Sequence, residues 1–126
     1  MKKLVLLTLF LIQGFGFAQV RWMTMTQALA AQKKEPKKII IDFYADWCGP
    51  CKKVAPILHD LAILYKNDIV VYKINVDNEK ELARTFGIQS IPTILFVPVK
   101  GKPQKAMGAL PREEFVKQID SYLLGK

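Results

Sequence analysis

The sequence predicts a single α/β domain, a mixed central β-sheet flanked by helices on both faces. Runs rich in β-branched and aromatic residues alternate with segments of helical period in the order βα, βα, βα, ββα. The last two strand-like runs, 91–97 and 104–107, flank a turn-rich stretch at 98–103 centred on Gly101, which makes them antiparallel neighbours. At 126 residues the chain is long enough for one hydrophobic core and too short for two domains.

The first 18 residues read differently from the rest. Lys2 and Lys3 precede a nearly all-apolar stretch from 4 to 17, and Gly16-Phe17-Ala18 supplies small residues where a signal peptidase would cut. Residues 1–18 are therefore expected to be a secretory signal peptide, with the domain in 19–126. The apolar stretch falls short of the roughly 20 residues of a spanning helix, so a retained anchor is the weaker reading.

Val20 to Met23 suggest a short extended piece, and Thr24 or Thr26 can cap a helix running through Ala31 and ended by Pro36. Residues 38–44 lack alternation, as expected of a strand buried on both faces, and Asp42 is the anomaly within it. Val54, Ile57, Leu58, Leu61, Leu64 and Tyr65 recur at helical spacing, predicting a helix over 51–66 that Pro56 should kink. Residues 69–76 read as a second central strand, completing a right-handed crossover unit. Asp77 and Asn78 can cap a helix through Phe86 that Gly87 ends. After the hairpin, Pro111 suits the first turn of a last helix whose buried stripe is Phe115, Val116, Ile119, Tyr122 and Leu123.

The chain carries 19 basic and 11 acidic side chains. Loss of residues 1–18 removes two lysines and no acid, leaving 17 against 11. The lysines are spread without aromatic interleaving, so a solvated basic face is favoured over nucleic-acid binding.

The only two cysteines, Cys48 and Cys51, sit two residues apart directly after the first long strand. At the first turn of a helix, a sulfur faces unpaired backbone N–H groups whose partial positive charge favours thiolate. A two-residue loop constrains little unfolded-chain entropy, so this pair is better placed for redox chemistry than for stabilisation. A closed zinc site needs four ligands, and beyond the two cysteines the chain offers only His59, expected on the surface of the following helix. Asp42, six residues before Cys48, could be a desolvated proton acceptor or an edge-strand carboxylate that reaches water. Met23, Met25 and Met107 look like packing residues.

These motifs resemble those of thioredoxins. The likeness runs over 39–124 and rests on Asp42-Phe43-Tyr44-Ala45-Asp46-Trp47-Cys48-Gly49-Pro50-Cys51-Lys52, Ala55-Pro56, Asn75-Val76-Asp77, Gly87-Ile88, Ile91-Pro92-Thr93 and Gly108-Ala109-Leu110. Residues 21–38 are more similar to exported thioredoxin-like proteins and to the soluble terminal domain of membrane electron-transfer reductases. Tyr44 stands where cytosolic members usually have Trp, which bears on partner choice.

The resemblance implies the thioredoxin fold and a protein-disulfide reductase. Cys48 would be the exposed nucleophile, Cys51 the resolving thiol, Asp42 the proton acceptor and Lys73 its partner. Gly49 and Pro50 would tune the couple, the Ile91–Pro92 bond would be cis, and Ile91, Pro92, Ile88, Gly108 and Ala109 with Trp47 would form the substrate rim. No cofactor is expected beyond the Cys48–Cys51 disulfide itself, and no metal. The expected partners are proteins bearing disulfides and a membrane thiol transporter as electron donor, for a periplasmic monomer that binds no nucleic acid. The rivals are an oxidant of protein thiols, a Cu(I)-carrying module and an adaptor that uses only the fold's surface.

Overall fold

The computed structural model describes residues 25–126. The signal segment 1–18, the extended piece at 20–23, Thr24 and Met23 lie outside them. The chain runs α1 (Met25–Lys34), β1 (Lys38–Tyr44), α2 (Gly49–Leu64), β2 (Ile69–Asn75), α3 (Lys80–Thr85), β3 (Thr93–Val97), β4 (Gln104–Met107) and α4 (Arg112–Gln118), which widens into a π-helical turn, Ile119–Leu123.

The four strands form one mixed sheet in the order β2-β1-β3-β4. β1 pairs parallel with β2 and antiparallel with β3, and β3 pairs antiparallel with β4. β2 was expected to be central; among the described residues it is an edge. Its alternating run could not by itself separate the two positions, because an edge strand also buries residues on its inner faces.

β1 is covered on both sides. Ile40 faces a large core with Val54, Leu58 and Leu61 of α2 and with Phe115, Ile119 and Leu123 of the C-terminal helix. Ile41 and Phe43 point the other way, into a smaller core with Leu95 and, from α3, Leu82 and Phe86. Continuous burial from Ile40 to Phe43 explains the missing alternation, and it carries Asp42 into the interior.

Several boundaries differ from the expected ones for local reasons. α2 starts two residues early, at Gly49, because Cys48 itself is the N-cap. It runs unbroken through Pro56, whose missing N–H leaves one carbonyl of the preceding turn without its helical partner. α3 is only six residues long, and its N-cap is Glu79, not Asp77 or Asn78. β3 begins at Thr93, two residues after the expected start and directly past the cis Ile91–Pro92 bond. Pro111 is the cap of α4, not its first helical residue.

Candidate active site

The redox pair sits where the loop after β1 enters the first turn of α2, with Cys48 as the N-cap and Cys51 inside the helix. Cys48 and Cys51 form a disulfide with Cα atoms 5.3 Å apart. The Cys48 backbone is extended, as an N-cap requires, and the Cys51 N–H donates to Cys48 Sγ at 3.2 Å. A thiolate at this atom would receive that same N–H together with the positive end of a 16-residue helix. Pro50 in the first turn needs no donor there, and a Cβ on Gly49 would meet nothing within 4 Å, so the approach to the sulfurs past Gly49 is open.

Cys48 is not exposed as the resemblance implies. It is 4% accessible and Cys51 3%, in a small cluster with Ala45 and against Tyr44, Val76 and Ile91. Asp46, Trp47, Gly49 and Pro50 around Cys48 are all exposed.

Asp42 lies on the central strand, wholly buried, so the reading of an edge-strand carboxylate in water is set aside. Lys73 is its register partner on β2, with Nζ 3.7 Å from Oδ2. That distance makes an ion pair and is too long for a hydrogen bond, and neither carboxylate oxygen has a hydrogen-bond partner. Burial pushes the Asp42 carboxyl up from 3.8 to about 6, against the pull of Lys73, which lowers it. Such a group takes up and releases protons near neutrality.

Lys73 Nζ also lies 4.4 Å from the centroid of the Tyr44 ring. It lines an open groove of about 440 Å³ between α2 and β2, together with Pro56, His59 and Val71. His59 is exposed on α2, as expected of a surface histidine. Among the described residues no cluster of three or more His, Cys, Asp or Glu side chains could hold a metal ion.

The residues expected to form the rim come from three loops, and of them Ile91 packs against the two cysteines. Trp47 is 70% exposed. Pro92 is buried in its cis turn, where the Thr93 hydroxyl donates to the Ser90 carbonyl at 2.6 Å. Pro92's own carbonyl accepts from Gly108 N at 2.9 Å, which fixes the segment carrying Gly108 and Ala109 beside it. Ile91 takes no part in the loop hydrogen bonds of this region. Ile88 is half-buried, packed on the smaller core through a left-handed turn at Gly87.

Sequence reasoning missed three features. Asp77 accepts a hydrogen bond from the Trp47 indole at 2.9 Å, tying the redox loop to the end of β2, and Asn75 extends the tie to Asp46 at 3.4 Å. Lys105 donates to the carbonyls of Phe86 and Gly87 at 2.9 and 3.4 Å, fastening the end of α3 to β4. Met107 is 67% exposed, not packed, because it ends an edge strand next to Gly108. The contact of Lys73 with Asp42, which the resemblance implied, arises from the parallel register that puts the two residues opposite each other.

A mixed sheet that presents a two-residue cysteine loop at a helix N-terminus, facing a cis-proline turn, defines a dithiol–disulfide oxidoreductase. A family model described as thioredoxin matches residues 21–121. The chain is 47% identical over 83 residues to a thioredoxin of Borreliella burgdorferi, covering 66% of this chain and 71% of that one. It is 40% identical over 85 residues to the chloroplastic M-type thioredoxin of Spinacia oleracea, covering 68% of this chain and 47% of the plant protein. Among solved structures, chloroplastic thioredoxin z superposes with a TM-score of 0.70 at 31% identity, over 82% of this chain and 96% of that one. The Deadhead thioredoxin of Drosophila melanogaster gives 0.67 at 30%, over 77% and 91%. The chain belongs to the thioredoxin family, whose members are protein-disulfide oxidoreductases that need no bound cofactor.

Proposed function

We propose that this chain is an exported reductant of protein disulfides, working through Cys48 and Cys51. The observation that carries the reading is the Cys48 sulfur at the cap of α2, receiving the Cys51 N–H beside an exposed Trp47. In the reduced protein, Cys48 thiolate attacks one sulfur of a client disulfide. The client's other sulfur leaves as thiolate and a mixed disulfide forms. Cys51 then gives its proton to Asp42 and attacks Cys48, releasing the client's second sulfur. The client gains two electrons, and the protein is left with the intramolecular disulfide seen here.

Asp42 suits the acceptor role because its carboxyl titrates at about 6, high enough to hold a proton briefly and low enough to be mostly ionised at neutral pH. Lys73, which pairs with that carboxylate and lines the groove, connects the buried acid to the solvent side. The unengaged main chain at Ile91 can pair with an extended client segment, while Trp47, Ile88, Gly108 and Ala109 offer apolar contact.

Export rests on the sequence of residues 1–18, cleaved as a signal peptide to leave 19–126 as a periplasmic monomer. The redox group of a thioredoxin is its own disulfide, and in this reading another protein re-reduces it, for which a membrane thiol transporter is the natural donor. The test is a Cys51→Ala variant expressed in the native host, which should accumulate mixed disulfides on Cys48 with both clients and donor. An absence of trapped partners, together with failure to reduce insulin disulfides from a dithiol donor, sinks the reading. Direction is read from the reduction potential. Thioredoxin itself, the family's namesake, lies near −270 mV, and a value near −120 mV would make this chain an oxidant instead.

A further inference from the structure

The end of the sheet remote from the disulfide carries a charge pattern that redox chemistry does not use. The register places Lys38 opposite Ile69 and Ile39 opposite Val97, so the start of β1, the start of β2 and the end of β3 lie together. The C-terminal end of α2 joins them, since Asp68 and Ile69 donate to the Tyr65 carbonyl. The turn between β3 and β4 and the chain's last residues do so too, through the hydroxyls of Tyr122, on the Lys102 carbonyl, and Tyr65, on Asp120 at 3.0 Å.

Six exposed lysines gather on this pole: Lys33, Lys34, Lys66, Lys100, Lys102 and Lys126. Lys37 and Lys38 lie among them, half-buried. Four acids stand against these eight bases: three in the segments of the pole, and Asp60 one helical turn before Ile63 and Leu64 on α2. Glu35 pairs with Lys37 at 3.7 Å, Asp120 accepts from Tyr65, and Asp68 stands beside Lys66 in sequence. Interspersed with the lysines are large apolar side chains left in water: Ile63 and Leu64 in the last turn of α2, and Val99 in the hairpin turn, 45%, 60% and 52% exposed. At the redox pole, by contrast, Asp46, Asp77 and Glu79 offset Lys52, Lys53 and Arg112.

We propose that this pole docks on an anionic lipid surface, with the lysines over the headgroups and Ile63, Leu64 and Val99 dipping into the interface. Lysines mixed with exposed aliphatic side chains match both layers of such a surface, charge outside and hydrocarbon beneath. A nucleic acid would use the charge but leave the aliphatic groups uncovered. β1 rises about 20 Å from Lys38 to Tyr44, so a molecule docked this way holds Cys48 away from the bilayer, facing the aqueous compartment.

The test uses the full chain with vesicles of phosphatidylglycerol and phosphatidylcholine, or of phosphatidylcholine alone. Each lysine close to an anionic surface is worth roughly fivefold in binding. A Lys66→Glu, Lys100→Glu, Lys102→Glu variant should therefore lose anionic-vesicle binding by on the order of a hundredfold. A variant of equal charge change elsewhere, Lys53→Glu, Lys80→Glu, Lys117→Glu, should lose far less. Gadolinium-bearing lipid should broaden the amide signals of Lys66 and Gly101 and spare Gly108 and Ala109, a readout that holds even where the apolar N-terminal stretch inserts as well. Equal losses in the two variants, broadening centred on Gly108, or pole-dependent binding to duplex DNA with none to the anionic vesicles would each overturn the proposal.

Discussion

Lys73 divides its ammonium between two partners, and that division limits how far it offsets the rise that burial gives the Asp42 carboxyl. Its Nζ lies 3.7 Å from Asp42 Oδ2 and 4.4 Å from the Tyr44 ring centroid, so the ring competes for a cation that would otherwise close on the carboxylate. Burial and the nearby Asp46 push the Tyr44 phenol up, which keeps the ring neutral under all ordinary conditions. Lys73→Met removes the one influence that lowers the Asp42 carboxyl, so its titration should move above about 6. The acid limb of the pH profile for Cys51 attack should move to higher pH with it, and the Asp42 carboxyl carbon shift followed by NMR checks the direction. Asp42→Asn removes the acceptor itself. Release of a trapped client should slow on the order of a hundredfold at pH 7, read by rapid quench of the mixed disulfide, with formation of that intermediate by Cys48 much less affected. Equal slowing of both steps would mean that Asp42 supports the site and does not accept the proton.

At the scale of elements, the rim depends on how the short α3 ends. Six residues make a weak helix, and three devices hold its C-terminus. Gly87 takes a φ of +61°, with its N–H on the Arg84 carbonyl and that of Ile88 on Ala83, and Lys105 reaches across from β4 to the Phe86 carbonyl. A Cβ on Gly87 would find room, its nearest neighbour being the flexible end of Lys105 at 3.9 Å, so the cost of Gly87→Ala is one of backbone strain alone. It should destabilise the protein by about 1 kcal/mol in urea titration. Lys105→Met should cost about 0.5 to 1 kcal/mol through the lost cap. Because Ile88 follows this turn directly, both changes should also raise the KM for protein clients while leaving the reduction of a small disulfide untouched. A fall in both activities would place the turn's role in overall folding and not in client contact.

For the molecule as a whole, the sequence was most readable where local and global demands agree. The α2 stripe, the unalternating β1 and the hairpin about Gly101 were legible because periodicity and turn chemistry each admit one arrangement there. Sheet order was not legible. Residues 69–75 carry the same composition at an edge as in the middle, and only pairing distinguishes the two. Contacts such as Trp47 with Asp77, thirty residues apart, leave no periodic trace, whereas a cysteine sulfur facing free N–H groups was legible from the spacing and only the start of α2 lies two residues earlier than expected. The clearest conflict between local and global demands is Asp42, a charge inside an otherwise apolar strand, and its cost to the fold is a function of pH. Below 3.8 the carboxyl is protonated folded and unfolded alike and contributes nothing. As pH rises from 3.8 to about 6 the unfolded chain gives up the proton first, so stability falls across that window and stays low above it. The rise from 3.8 to about 6 corresponds to about 3 kcal/mol at neutral pH. Asp42→Asn keeps the shape and removes the charge, so in the oxidised protein it should gain up to about 3 kcal/mol at pH 8 and almost none at pH 4. Urea unfolding of both proteins at the two pH values decides it. Parallel curves, with no gain that grows toward pH 8, would show that Lys73 and the groove already solvate this carboxylate and that burial never raised its pKa.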